Sequence, residues 1–152
     1  MSIQLLLSSD NHLDPPALSF GPRRFERRKD HLRCFEEMIE NAKRDRPDFL
    51  MLAGDVFDTI RPGNSIRARV MDDFKALHDL GIRILAVSGD HDTPKTVEEG
   101  SSPLAVYGNS GYVHFFQDTT EVSYRQFAID GVSVEVGGLS RNPHIGPRED
   151  PL

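Results

Sequence analysis

The sequence predicts an α/β domain whose residues 1–93 form a parallel βαβαβ unit. Three short apolar runs, at residues 3–8, 48–53 and 82–87, have the length of buried strands. The two segments between them repeat apolar residues at intervals of three and four, as a helix packed on one face does. Short connections between such elements favour parallel strands joined by right-handed crossovers.

Length and composition fit one globular domain over residues 1–152. Of the 152 residues, 38% are hydrophobic and 28% are charged, which is enough to bury a core. Cys34 is the only cysteine, so an internal disulfide is excluded. No apolar run approaches the ~20 residues of a membrane-spanning helix, and the N-terminus lacks the features of a signal peptide. We therefore expect a cytoplasmic protein without a membrane partner.

Turn and capping residues set the boundaries of the first two helices. Proline and glycine pairs predict a loop over residues 10–22. A helix should follow from about Arg24 to Arg46 and end before the next proline. The second helix should be capped by Asn64 or Ser65 and stopped by Gly81.

Beyond residue 93 the pattern changes to short strands. Residues 103–107 predict a short helix. Three later runs have strand character, at residues 113–116, 121–129 and 132–136. The last two are joined by a turn at Asp130-Gly131. We assign residues 112–137 to the strands of a second sheet and residues 138–152 to a loop tail.

Acidic residues follow each of the three predicted parallel strands, and histidines accompany them after the first and third strands. The three motifs are Asp10-Asn11-His12, Gly54-Asp55-Val56-Phe57-Asp58 and Gly89-Asp90-His91-Asp92. The carboxyl ends of parallel strands meet at one edge of a sheet, where open α/β sheets bind ligands. Carboxylates and imidazoles suit divalent metal ions, which serve phosphate ester chemistry.

Basic residues flank these motifs although the net charge is −6. The first group comprises Arg23, Arg24, Arg27, Arg28, Lys29 and Arg33, and the second comprises Arg61, Arg67 and Arg69. The net charge argues against a protein that coats nucleic acid by bulk electrostatics. Arg24, Arg27 and Arg61 are candidates to hold a phosphate backbone, although a solvated helix face explains each of them as well. Arg141 could border the same cleft, or simply follow a strand.

The three acidic motifs resemble, in order, the D-x-H, G-D-x-x-[DH] and G-N-H-[DE] motifs of the calcineurin-like metallophosphoesterases. Within that superfamily, the amino-acid sequence of residues 10–13 and 53–58 is most similar to that of the SbcD-like nuclease subunit of DNA double-strand-break repair. The resemblance covers roughly residues 1–140. It implies that the chain is the N-terminal part of a two-sheet, helix-flanked (αββα) metallophosphoesterase fold.

The resemblance also implies a centre with two divalent metal ions. Asp10 and His12 would bind one ion, Asp55 would bridge both, and Asp90 would bind the second. Manganese best suits such a mixed carboxylate and imidazole site, and iron or zinc would also bind.

By the same resemblance, three residues would serve catalysis. His91 would be the catalytic imidazole that stabilises or protonates the leaving group. Asp58 or Asp92 would orient it.

Two departures from the family pattern affect the metal centre. Asp90 stands where the family has asparagine, which adds a negative charge. The family also completes its metal pair with a lone histidine and a Gly-His-x-His motif, whereas His114 and His144 are the only later candidates in this sequence. We expect either an N-terminal piece of a longer protein or an incomplete metal site.

The leading hypothesis is metal-dependent phosphodiester hydrolysis on DNA by an SbcD-like exonuclease or endonuclease. DNA and an ATPase of the SbcC/Rad-fifty type would be partners, and the chain should form a homodimer. One alternative is a phosphatase or phosphodiesterase acting on a protein, nucleotide or small phosphate ester. The other is a non-catalytic scaffold that binds DNA or the ATPase.

Overall fold

Two β-sheets form the framework of the computed structural model, which describes residues 2–16, 21–146 and 149. The parallel sheet has four strands in the order β1-β2-β3-β4, at Leu5–Ser8, Phe49–Ala53, Arg83–Val87 and Val113–Phe115. The separate antiparallel sheet pairs β5 with β6, at Ser123–Ile129 and Val132–Gly138. The predicted α/β class and the opening parallel βαβαβ unit are confirmed.

Within the described ranges, three α-helices accompany these strands. They are α1, α2 and α3, at Arg24–Asp45, Asn64–Asp79 and Ala105–Ser110. Helix α1 ends where Arg46 adopts a left-handed φ of 51° before a proline. Gly81, with a φ of 82°, turns the chain away after α2, as the sequence predicted. In the described part of the chain, no helix is both long enough and apolar enough to cross a membrane.

The predicted cap of α2 is wrong. Asn64 is already helical, the capping position is taken by Gly63, and no side chain of α2 caps its own first turn. The carboxylate of Asp14, 49 residues earlier in the chain, accepts a hydrogen bond from the Gly63 N–H at 2.7 Å. A contact between residues so far apart leaves no local signal in the sequence.

The prediction that residues 113–116 open the second sheet is also wrong. Strand β4 pairs in parallel with β3, with Val113 opposite Ile84 and Phe115 opposite Ala86. The chain reaches β4 through α3, and a helical crossover returns a strand parallel to the preceding one. The alternation of apolar residues predicts a strand, but it does not indicate which sheet that strand joins. The second sheet therefore begins at Ser123, and it extends one residue into the predicted tail.

The parallel sheet buries a core on each face. Side chains alternate along a strand, so Leu50 and Ile84 pack towards the helices while Phe49 and Leu85 face the β5–β6 hairpin. Both cores hold residues that are almost fully buried. The hairpin leaves part of the second face uncovered, because the side chains of β1 on that face, Leu5 and Leu7, are 61% and 67% exposed.

Candidate metal centre

Backbone hydrogen bonds continue the pairing of β1 and β2 into the first two acidic motifs. The N–H of Asp10 donates to the carbonyl of Gly54 at 3.2 Å. The N–H of His12 donates to the carbonyl of Asp55 at 2.9 Å. Asp10, His12 and Asp55 all have left-handed backbones, with φ of 54°, 44° and 49°. Such conformations are uncommon for residues other than glycine, and their clustering marks this edge of the sheet as a candidate site.

The third motif approaches the second so closely that only glycine fits at residue 89. A Cβ on Gly89 would collide with the Asp55 carboxylate and would lie 2.7 Å from the Asp55 nitrogen. A Cβ on Gly54 would lie 3.1 Å from the Cα of Gly89. The N–H of His91 donates to Asp55 Oδ1 at 2.8 Å. All three motifs therefore meet at Asp55.

Asp92 is fully buried and binds the second and third motifs to each other. One carboxylate oxygen accepts hydrogen bonds from the N–H groups of Val56 and Phe57 at 2.9 and 3.4 Å. The other accepts from the Gly89 N–H at 2.6 Å. Burial raises the pKa of the Asp92 carboxyl, and these three N–H groups partly oppose the shift. The Asp92 carboxylate thus holds the backbone of the second motif against the backbone of the third.

His12, Asp55 and His91 bring together side chains that could hold a metal ion. Each offers one ligand atom, and the three atoms lie within 4.8 Å of one another. The two imidazole rings are nearly perpendicular, with centroids 4.8 Å apart. Two ligands of one ion are separated by at most about 4.2 Å when each bond is about 2.1 Å. Small side-chain rotations would therefore let this set bind a divalent transition metal, for which two imidazoles and a carboxylate are suitable donors.

Asp58 contacts both imidazoles of this group. Its Oδ1 lies 2.7 Å from Nδ1 of His12 and 3.4 Å from Nδ1 of His91. A histidine that donates its Nδ1–H to a carboxylate presents its Nε2 lone pair as a ligand. The sequence left open whether Asp58 or Asp92 orients His91. The geometry places Asp58 beside the imidazole, while the hydrogen bonds of Asp92 go to backbone.

The structure does not bring Asp10 and Asp90 into the same group. Asp10 Oδ1 lies 3.7 Å from Nε2 of His12, and its side chain is 68% exposed. Asp90 instead forms ion pairs with two cations, at 3.6 Å to Lys95 Nζ and 3.5 Å to Arg141 Nη2. Sequence reasoning overlooked Lys95, although a cation five residues after Asp90 was a signal for it.

The basic residues predicted to bind substrate show varied surroundings. Arg27 pairs with Asp30 on its own helix at 3.7 Å, and Arg61 is exposed in the loop after the second motif. The side chain of Arg24 lies outside the described residues. Arg28 forms an ion pair with Asp14, the carboxylate that accepts a hydrogen bond from the Gly63 N–H just before α2. Part of the basic block is therefore structural.

The later histidines lie apart from the described metal-binding group. The ring centroid of His114 lies 4.5 Å from that of Phe116, and burial lowers the pKa of His114. His144 is exposed. The structure also shows a histidine contact that the sequence did not predict, because His31 Nδ1 on α1 lies 3.2 Å from the Asn11 carbonyl oxygen. That contact ties α1 to the first motif.

Comparison with known proteins agrees with this geometry. The calcineurin-like phosphoesterase family model matches residues 3–147. The chain is 43% identical over 76 residues to DNA double-strand break repair protein Mre11 of Aeropyrum pernix, covering 49% of this chain and 18% of that protein. It is 31% identical to the protein of the same name from Thermoplasma acidophilum, covering 87% of this chain and 33% of that protein. It is also 31% identical to the protein of the same name from Methanococcus maripaludis, covering 86% of this chain and 34% of that protein. The chain thus spans about a third or less of the length of these relatives. With the family model matching nearly all of its residues, the chain belongs to the calcineurin-like phosphoesterase family.

Proposed function

We propose that this chain carries the metal site of a phosphodiesterase that hydrolyses DNA, as an SbcD-like nuclease. The observation that carries the proposal is the meeting of His12, Asp55 and His91 at the ends of adjacent parallel strands. The family supports metal-dependent phosphoester hydrolysis. The name of the relatives, which refers to DNA double-strand break repair, supports DNA as the substrate.

His12 and Asp55 would hold the divalent ions, with Asp10 and Asp90 as the further ligands that the family motifs imply. We propose manganese, because carboxylate oxygens suit it and imidazole is tolerated, with iron or zinc as alternatives. When bound, such ions supply Lewis-acid stabilisation of the phosphoryl charge and an activated water. The hydrogen bond from His12 Nδ1 to Asp58 keeps Nε2 available as the ligand nitrogen.

Although its imidazole could also serve as a third metal ligand, we propose that His91 acts on the leaving group. Its side chain is 45% exposed, so a substrate can reach the imidazole. Nδ1 lies 3.4 Å from both the Oδ1 and the carbonyl oxygen of Asp58. This leaves Nε2 as the nitrogen that can donate a proton to the departing oxygen.

Hydrolysis of DNA in the presence and absence of Mn²⁺ tests the proposal. His91→Ala should lower turnover by about 10²-fold or more while leaving the metal content unchanged. His144→Ala is the matched control, because that imidazole is exposed and lies outside the described metal-binding group. Equal loss of metal and activity in His91→Ala would make His91 a ligand.

The same assay separates the two alternative functions. Mn²⁺-dependent hydrolysis of p-nitrophenyl phosphate without hydrolysis of DNA would indicate a phosphatase. DNA binding without hydrolysis of either substrate would indicate a scaffold. The convergence of two imidazoles with Asp55 supports an enzyme over a scaffold.

As to partners, the resemblance to SbcD-like nucleases supports an ATPase of the SbcC/Rad-fifty type in a cytoplasmic complex. The exposed Leu5 and Leu7 on the uncovered sheet face support self-association as a homodimer. Sedimentation velocity of the chain, alone and with such an ATPase, tests both points. A monomer that does not bind the ATPase would contradict them.

A further inference from the structure

Two cations contact Asp90, an acidic motif residue that lies outside the metal-binding group. Lys95 Nζ lies 3.6 Å from Asp90 Oδ2, and Arg141 Nη2 lies 3.5 Å from Asp90 Oδ1. The Asp90 side chain is 51% exposed. Ion pairs at such exposed positions are weak, because water competes for both charges. Another anion can therefore replace Asp90 between the two cations.

Arg141 is held in place by its backbone. Its N–H donates to the carbonyl of Ser88 at 3.0 Å. The neighbouring Ser140 is buried, and its Oγ accepts a hydrogen bond from the Ser88 N–H at 2.9 Å. Guanidinium Nη1 donates to the carbonyl of Asn142. The arginine is thereby fixed beside the last residue before the third motif, with Nη2 directed at Asp90. A guanidinium positioned in this way loses little freedom when it binds an anion.

Open space adjoins both cations. A cavity of about 630 Å³ is lined by Arg141, Ser140 and Thr119, among others. A second cavity, of about 520 Å³, is lined by Lys95 and Thr93, among others. Ser88 borders both cavities. Sites for small ligands have volumes of about 300–1,000 Å³, so each cavity has the size of a small-ligand site.

We infer that Lys95 and Arg141 form a binding site for a phosphate group of a nucleic acid strand, next to the metal centre. The inference rests on the proposed function, because it names the residues that hold the DNA substrate. A guanidinium and an ammonium group together give a phosphate several charge-assisted hydrogen bonds. In the free protein Asp90 forms ion pairs with both cations, and the incoming phosphate takes the place of its carboxylate.

The experiment measures binding of a fluorescent single-stranded oligonucleotide by anisotropy, in EDTA and over a range of NaCl concentrations. Arg141→Gln and Lys95→Gln should each weaken binding about 5-fold to 10-fold and reduce the salt slope by roughly 0.7, the value for one phosphate contact on a single strand. Asp90→Asn should strengthen binding, because it releases both cations. Arg44→Gln is the charge-matched control, since Arg44 is exposed at the C-terminal end of α1 and pairs with Asp45. It should bind almost as the unaltered protein does.

Each outcome decides at least one of the two proposals. If the unaltered protein binds the oligonucleotide and both substitutions behave like Arg44→Gln, the inference is overturned and the DNA substrate stands. If the protein binds inorganic phosphate through both cations but no oligonucleotide, the phosphate site stands and the DNA substrate fails. Binding of neither ligand overturns both. Repeating the titration with and without a 5′-phosphate shows whether the site takes a terminal phosphomonoester or an internal phosphodiester.

Discussion

Replacing Gly89 with alanine tests whether the contact between the second and third motifs holds the metal centre together. The new Cβ would lie 2.7 Å from the Asp55 Cγ and backbone nitrogen, so the two loops must separate. Separation breaks the hydrogen bond from His91 N–H to Asp55 Oδ1, now 2.8 Å long. Overpacking of this kind costs about 1–3 kcal/mol. For a chain of this length the melting temperature should fall by roughly 2–12 °C. Because Asp55 moves relative to His12, the affinity for Mn²⁺ should fall about 10-fold or more.

Two assays on the same variant separate stability from metal binding. Thermal unfolding in EDTA gives the stability, and calorimetric titration with MnCl₂ gives the affinity. Gly81→Ala is the control, because Gly81 has a φ of 82° and a Cβ added there would meet no other atom within 4 Å. It should lose about 1–2 kcal/mol through backbone strain while binding Mn²⁺ normally. Unchanged Mn²⁺ affinity in Gly89→Ala would show that the close contact between Gly89 and Asp55 does not hold the metal ligands in place.

Three further substitutions address other parts of the molecule. Asp58→Asn should lower Mn²⁺ affinity about 10-fold to 100-fold in calorimetric titrations, because Asp58 orients His12 at 2.7 Å; unchanged affinity would contradict that role. Asp73→Asn should raise the urea midpoint at pH 7, because burial raises the pKa of Asp73 by more than the opposing ion pair with Arg69, whose Nε lies 3.5 Å from Asp73 Oδ2, lowers it. A folded pKa above the unfolded one means that the stability contributed by Asp73 is complete below about pH 3.9 and is lost as the pH rises through the folded pKa. The advantage of Asn should therefore vanish in acid, and a lower midpoint for Asp73→Asn at pH 7 would contradict the argument. Leu7→Ser should leave stability within about 0.5 kcal/mol, because the side chain is 67% exposed, but should reduce self-association in sedimentation; an unchanged dimer would exclude this surface as the interface.

The sequence predicts the elements that local patterns determine. The apolar runs mark β1, β2 and β3, and the helical periodicity marks α1 and α2. The order of these elements implies a parallel sheet, so the edge where the acidic motifs meet follows from topology. The approach of His12 to Asp55 is therefore foreseeable from chain order alone.

The remaining features depend on contacts between distant residues. The Asp92 carboxylate binds backbone 36 residues away at Val56, and Arg141 reaches Asp90 across more than 50 residues. Neither contact leaves a periodic signal. The strand at Val113–Phe115 is a further example. The helical crossover before it, and not the strand's own residues, determines that it joins the parallel sheet. Side-chain direction at Asp90 likewise depends on the cations nearby.

Anomalous diffraction at the manganese edge, from crystals soaked in MnCl₂, locates the bound ion. We expect a peak between His12 and Asp55, with Asp58 on the far side of the His12 ring. His12→Gln should abolish that peak, whereas His144→Gln should preserve it. A manganese peak elsewhere, or none at saturating Mn²⁺, would contradict the assignment of this strand edge as the metal centre.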